Sequence, residues 1–180
     1  MMNQMITNRK TATRLLLVQW SRFQNVCIKL EGSTLITGVN GSGKSTVLDA
    51  MTYVLTGNTQ FNKAAKDRDR TVKAYVRGDT KSNGADRYLR KDDVVSYIVM
   101  EFWSPSENQY IVIGVCIESQ DEVSSPSSNW FIMGDARLED FNFTVTEGRK
   151  LIVTPKSGLK FKGNKIKSAE FYGRDKARDQ

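Results

Sequence analysis

Apolar positions gather into a few dense runs separated by long polar stretches, and their period changes along the chain. Leu15-Leu-Leu-Val-Gln-Trp20 and Val26-Cys-Ile-Lys-Leu30 have strand length, and Ser33-Thr-Leu-Ile-Thr37 is a third, shorter β-prone run. Val47, Leu48, Met51, Val54 and Leu55 then recur at helical spacing until Gly57 offers a C-terminal stop. Later, Val94 to Trp103 and Gln109 to Glu118 are two strand-like runs separated by Ser104-Pro-Ser-Glu-Asn108, which predicts a hairpin. Ser119 to Asn129 is a serine-rich polar tract and predicts a surface loop; short strands are expected over Trp130 to Met133, Phe141 to Val145 and Leu151 to Val153. The pattern divides the chain into strands, loop and helix over 14–57, a polar, charge-dense segment over 58–93, a β-rich lobe over 94–154 and a basic segment over 155–180. No internal repeat or heptad pattern is visible.

Between the third strand-like run and the helix lies Gly38-Val-Asn-Gly-Ser-Gly-Lys-Ser-Thr46, which fits GxxxxGK[ST]. Average residue frequencies would produce that match in roughly one chain of this length in two hundred, and the strand before it and helix after it narrow the chance further. Gly38, Gly41 and Gly43 let the backbone curl with its N–H groups inward, forming a nest for an anion. The helix that follows adds its unpaired N–H groups and the positive end of its dipole. Lys44 is expected to reach the β- and γ-phosphates of ATP and the Ser45 hydroxyl to enter a Mg²⁺ shell, with Asn40, Ser42 and Thr46 completing the nucleotide-binding set. Lys44 is the candidate for transition-state charge stabilisation.

A P-loop enzyme also needs an apolar strand ending in Asp, usually followed by Glu, to hold Mg²⁺ and polarise water. Ile111-Val-Ile-Gly-Val-Cys-Ile-Glu118 and Tyr97-Ile-Val-Met-Glu101 both end in a lone Glu, so each reads as an ordinary sheet strand. An SGG-type phosphate-contacting segment is missing too, so these 180 residues look like half of an ATPase site.

Leu15 to Phe23, Val26 to Leu30, Thr34 to Ala50 and Tyr53-Val-Leu-Thr-Gly57 together resemble the amino-terminal head segment of SMC-like ATPases. Asn40 and the Leu48-Asp49-Ala50 triplet go beyond a generic phosphate loop and are the specific part of the match. Ala74-Tyr-Val-Arg-Gly78 resembles the arginine-bearing loop of such heads, which implies that Arg77 lies near nucleotide or DNA. With its polar insertions the chain is most similar to the SMC-like subunit of bacterial Wadjet anti-plasmid systems, relatives of MukB-type condensins. The resemblance implies an α/β P-loop NTPase fold, an ABC/SMC-type head half-domain with a mixed β-sheet and an antiparallel β lobe. It further implies ATP and Mg²⁺ as cofactors and a carboxy-terminal head half beyond a coiled coil as partner. A second copy of the head, kleisin-like and accessory subunits, and double-stranded DNA complete the implied partners. Gln109 and Gln120 lack the setting of the family's glutamine loop, and neither is assigned to it.

Composition narrows the alternatives. A 39% hydrophobic content with three prolines fits one globular domain. No run approaches the length of a membrane-spanning helix and MMNQMITNRKTATR lacks an apolar leader core, so a cytoplasmic, nucleoid-associated protein without membrane contact is expected. The absence of histidine removes every mechanism that needs imidazole. Cys27 and Cys116, each in an apolar run, read as buried reduced thiols. From Arg149 to Arg178 there are ten Lys or Arg against two acids, exceeding in local charge the net +7 of the whole chain. Lys156, Lys160, Lys162, Lys165 and Lys167 are the candidate contacts to a DNA backbone, with a solvated face or an acidic partner as the other reading. The cluster from Lys63 to Lys91 mixes in more acids and says less. Besides the motor head, a self-contained P-loop ATPase or kinase, a DNA-repair SMC-like ATPase and a nucleotide-operated structural switch remain open.

Overall fold

A computed structural model describes residues 9–61, 70–80, 82 and 87–178. The first eight residues, and the parts of the polar segment at 62–69, 81 and 83–86, lie outside the described residues, and with them Lys63, Lys66 and Arg68. Five strands form the central sheet: β1 (Thr11–Trp20), β2 (Phe23–Lys29), β3 (Val94–Ser104), β4 (Gln109–Ser119) and β5 (Ser127–Gly134), in the order β2-β1-β3-β4-β5. All four pairings are antiparallel. β3 and β4 are the hairpin that the apolar runs predict, in unbroken register from Val94↔Ser119 to Ser104↔Gln109. Among the described residues the other elements are three α-helices, α1 (Lys44–Thr56), α2 (Val72–Arg77) and α3 (Arg174–Arg178), two hairpins, β6 (Thr144–Glu147) with β7 (Lys150–Val153) and β8 (Lys160–Phe161) with β9 (Asn164–Lys165), and short 3-10 turns at Leu138–Asp140, Lys156–Gly158 and Ser168–Glu170. No helix among the described residues is long and apolar enough to cross a membrane.

Because neighbouring residues of a strand point to opposite faces, the apolar runs of the central strands feed two cores at once. Leu15, Leu17, Ile98, Met100, Val115, Ile117 and Trp130 pack on one face with Val47, Ala50, Tyr53 and Val54 of α1 and Tyr75 and Val76 of α2. Leu16, Val18, Tyr97, Val99, Val112, Cys116 and Phe131 pack on the other, under Phe141, Phe143, Leu159 and Ile166 of the C-terminal segments. The sheet is therefore a middle layer, with the two longer helices on one side and the small hairpins on the other.

Three expectations are corrected. The described sheet is antiparallel rather than mixed, and Ser33 to Thr37 forms no strand, since the segment pairs with no neighbour among the described residues. β5 starts at Ser127, so the loop after β4 ends earlier than Asn129. Cys27 is exposed, because β2 is an edge strand with four consecutive exposed residues, whereas Cys116 on central β4 is buried and its thiol is pushed up to about 12 by burial.

Candidate functional site

The site is built where β1 turns into β2 and where the glycine loop enters α1. Gly38, Gly41 and Gly43 have φ of 154°, 81° and 100°, so the loop takes the positive-φ path that the glycines permit. Gly43 caps α1 with no side-chain hydrogen bond, and the first helical backbone bond runs from the Val47 N–H to the Gly43 carbonyl. The N–H groups of the first turn thus remain available to an anion. Lys44 Nζ donates to the Gly38 carbonyl at 2.6 Å and the Val39 carbonyl at 2.8 Å, closing the loop on itself.

Beneath the loop, residues far apart in sequence fix the start of α1. Trp20 is fully buried at the end of β1 and its indole N–H donates to the Thr46 carbonyl at 3.2 Å. The Trp20 ring stacks on Tyr75 of α2, centroids 4.5 Å apart. Tyr75 donates its hydroxyl to Asp49 Oδ2 at 2.5 Å, and Arg70 Nη1 reaches the same oxygen at 3.2 Å. Burial, reinforced by the Asp49 carboxylate, holds the Tyr75 hydroxyl well above the usual phenol range, so it stays a donor. Asp49 of the Leu48-Asp49-Ala50 triplet anchors α2 to the helix that carries the loop.

A cleft of about 860 Å³ runs from the loop across to α2 and the turn after it. Asn40, Gly41, Ser42, Gly43, Lys44, Ser45 and Thr46 line it, so the structure brings together these residues of the sequence-derived nucleotide set, with Gly38 tied to them through Lys44. Ser21, Arg22 and Phe23 of the β1–β2 turn form a second wall, and Asp79, Thr80, Ser82 and Arg87 a third. Sequence reasoning missed both walls. The pairing of Trp20 with Phe23 makes the turn, and its approach to the glycine loop is a tertiary contact of Phe23 with Gly43 that no local pattern encodes.

A family described as the P-loop containing region of AAA domain matches residues 12–68, from β1 through the glycine loop and α1. Residues 12–68 are a P-loop NTPase segment. No curated protein matches the chain. Within the P-loop segment the donor set fits a nucleotide with Mg²⁺: the N–H groups at the start of α1 and Lys44 for phosphate, and the Ser45 hydroxyl in the first helical turn for the metal.

Outside the P-loop segment the sequence-derived candidates scatter. Arg77 is fully buried and does not itself line the cleft, although Tyr75 and Asp79 on either side of it do. Its Nη1 donates to the carbonyls of Arg90 and Lys91 at 3.0 Å and Asp92 at 3.2 Å, and its Nη2 to the Ser119 carbonyl at 3.3 Å. Lys156 is half-buried, donating from Nζ to Asn129 Oδ1 at 3.1 Å, and Lys162 is paired with Asp135 at 3.0 Å. Lys160, Lys165 and Lys167 are exposed, with Lys160 and Lys165 in register across the β8–β9 hairpin. All five lysines belong to the segment that covers the sheet face opposite α1.

Proposed function

We propose that the chain is the ATP-binding N-terminal half of an SMC-like head, whose hydrolytic site is completed by a carboxy-terminal half and by engagement of a second head. One observation carries this reading. Beside the glycine loop, Ser33 to Thr37 belongs to no strand among the described residues, with Leu35 85% exposed and the adjoining Val39 80% exposed. Leu48 at 55% and Leu55 at 46% leave apolar surface uncovered on α1 as well. Exposed apolar side chains of a β-prone segment outside any strand, next to a nucleotide loop, are what a surface looks like before another lobe is laid against it. In this reading Lys44 and the loop N–H groups hold the β- and γ-phosphates of ATP, and Ser45 supplies a Mg²⁺ ligand. The acidic residue that orients the attacking water comes from the added half.

The head acts on DNA in this proposal, and a specific juxtaposition supports it. Lys160 and Lys165 face each other in register, where like charges repel unless an anion lies between them. A duplex backbone supplies that anion, on the face away from the nucleotide, and a role in handling plasmid DNA follows from the Wadjet resemblance.

The deciding measurement is ATP turnover. The 180 residues alone are expected to bind Mg²⁺–ATP weakly and hydrolyse it negligibly, with turnover restored by a carboxy-terminal head half. Strong hydrolysis by this chain alone, abolished by Lys44→Ala, would overturn the half-site reading in favour of a self-contained ATPase.

A further inference from the structure

The third wall of the cleft differs in chemistry from the loop. Asp79, Thr80, Ser82 and Arg87 line it, directly after the αL turn at Gly78 that ends α2. The wall is a built feature: Asp79 and Tyr88 form an antiparallel bridge, and Thr80 donates to the Arg87 carbonyl from its N–H at 2.8 Å and from its hydroxyl at 3.0 Å. Arg87 Nε and Nη2 both donate to Asp79 Oδ2 at 3.1 Å, and the same guanidinium lies 5.2 Å from the Tyr88 ring centroid. The Asp79 side chain is mostly buried while still bordering the cleft.

A carboxylate is a poor neighbour for phosphate and a good one for neutral donors. The loop end of the cleft holds the start of α1, Lys44 and the neutral side chains of Asn40, Ser42, Ser45 and Thr46, with no carboxylate among them, so a polyphosphate is drawn there and kept from Asp79 by charge. What remains of the cleft faces an acceptor-bearing wall edged by a planar, delocalised cation, and such a plane stacks on flat rings. We propose that Asp79 and Arg87 form the nucleoside subsite of this cleft. The Asp79 carboxylate accepts hydrogen bonds from the nucleoside's hydroxyl or amino donors, and the Arg87 guanidinium packs against its base. The inference rests on the P-loop reading, since it places the phosphates in the Gly38–Thr46 loop.

The test compares whole nucleotides with their phosphates alone, on the full chain with Mg²⁺. Competition binding is measured for ATP, 2′,3′-dideoxy-ATP, N6,N6-dimethyl-ATP and inorganic tripolyphosphate, on wild type, Asp79→Asn, Arg87→Lys and Lys44→Ala. Wild type is expected to prefer ATP over tripolyphosphate by about tenfold or more, about 1.4 kcal/mol. Asp79→Asn keeps the side chain's shape and is expected to remove most of that preference while leaving tripolyphosphate affinity within about twofold. Arg87→Lys keeps the ion pair but loses the plane, and is expected to weaken ATP and not tripolyphosphate. Lys44→Ala weakens both. Which analogue loses affinity on wild type distinguishes hydroxyl from amino recognition. An unchanged ratio of ATP to tripolyphosphate affinity in both wall variants overturns the proposal. So does an equal loss of both ligands in Asp79→Asn, which would place Asp79 with the phosphates and metal. Failure of the P-loop reading looks different: tripolyphosphate would not bind wild type, or Lys44→Ala would not weaken it.

Discussion

A side chain at position 43 would meet two obstacles together, a φ of 100° that L-residues rarely adopt and the Phe23 ring, whose Cζ would lie 3.1 Å from a new Cβ. Gly43→Ala is expected to cost about 1–2 kcal/mol of loop conformation and to abolish nucleotide binding by calorimetry, with the circular dichroism spectrum unchanged. The motif makes the glycine legible, but not Phe23 beneath it, because that contact depends on the turn between β1 and β2. The cysteines show the same division. Both sit in apolar runs, and what separates them is strand position, which a run does not encode. Burial raises the Cys27 thiol, against the opposing charge of Arg14, and raises Cys116 much further, to about 12. A thiol reagent is therefore expected to modify one cysteine in the native protein, faster as pH rises and later in that rise than for a free thiol, and the second only after denaturation. Two fast-reacting thiols in the native state would contradict the burial of Cys116.

Elements are held to one another by buried polar clasps that no local pattern announces. Arg77 ties the end of α2 to the chain at Arg90–Asp92 and to the end of β4, through four carbonyls, while its Nε finds no hydrogen-bond partner among the described residues. Ala74-Tyr-Val-Arg-Gly78 was legible as a motif, but the burial of its arginine depends on strands some forty residues on. Arg77→Ala is expected to destabilise the fold by about 3 kcal/mol, since buried carbonyls lose their donor, as read from the urea midpoint. At the other end of the sheet, buried Glu101 receives Arg14, Arg137 at 3.0 Å, the Thr13 hydroxyl at 2.7 Å and the Leu138 N–H at 3.2 Å. Burial alone would raise its carboxyl; the donors from Arg14, Thr13, Arg137 and Leu138 outweigh it and bring it below the ordinary value. Glu139, hydrogen-bonded to Arg14, is held at about 2. Carboxyls depressed in the folded state stabilise it above their unfolded pKa and lose that contribution as pH falls. Melting temperature should therefore fall from pH 4.5 toward about 2, and Glu101→Gln should shrink that fall while lowering stability at neutral pH. Gly114 is a close-approach position of the same sheet: a Cβ there would collide with the fully buried Phe131 ring. Gly114→Ala should cost about 1–3 kcal/mol by overpacking.

The whole molecule separates its two chemistries by the thickness of a sheet. The nucleotide cleft lies with α1 and α2 on one face, and the lysine-rich segment is anchored on the other through Leu159, Ile166, Phe161 and Phe171. Charge counting locates the basic segment in the sequence, but treats its lysines as equals. The fold ranks them, because Lys156 is spent on Asn129 and packs near the Phe171 ring, and Lys162 on Asp135, while Lys160, Lys165 and Lys167 stand exposed. If the exposed three follow a duplex backbone, reversing them together to Glu should weaken duplex binding regardless of sequence. Each phosphate that the variant no longer neutralises should lower the slope of log affinity against log salt by about 0.9. Reversing Lys162 alone should do less, since its charge is already offset by Asp135. The competing account, docking of this face on an acidic partner, predicts that the triple reversal leaves DNA affinity and its salt slope unchanged and breaks a protein complex instead. Affinity for one duplex at two salt concentrations, measured for wild type and the triple variant with Lys44 intact, separates the two: a slope that stays the same removes DNA from this face.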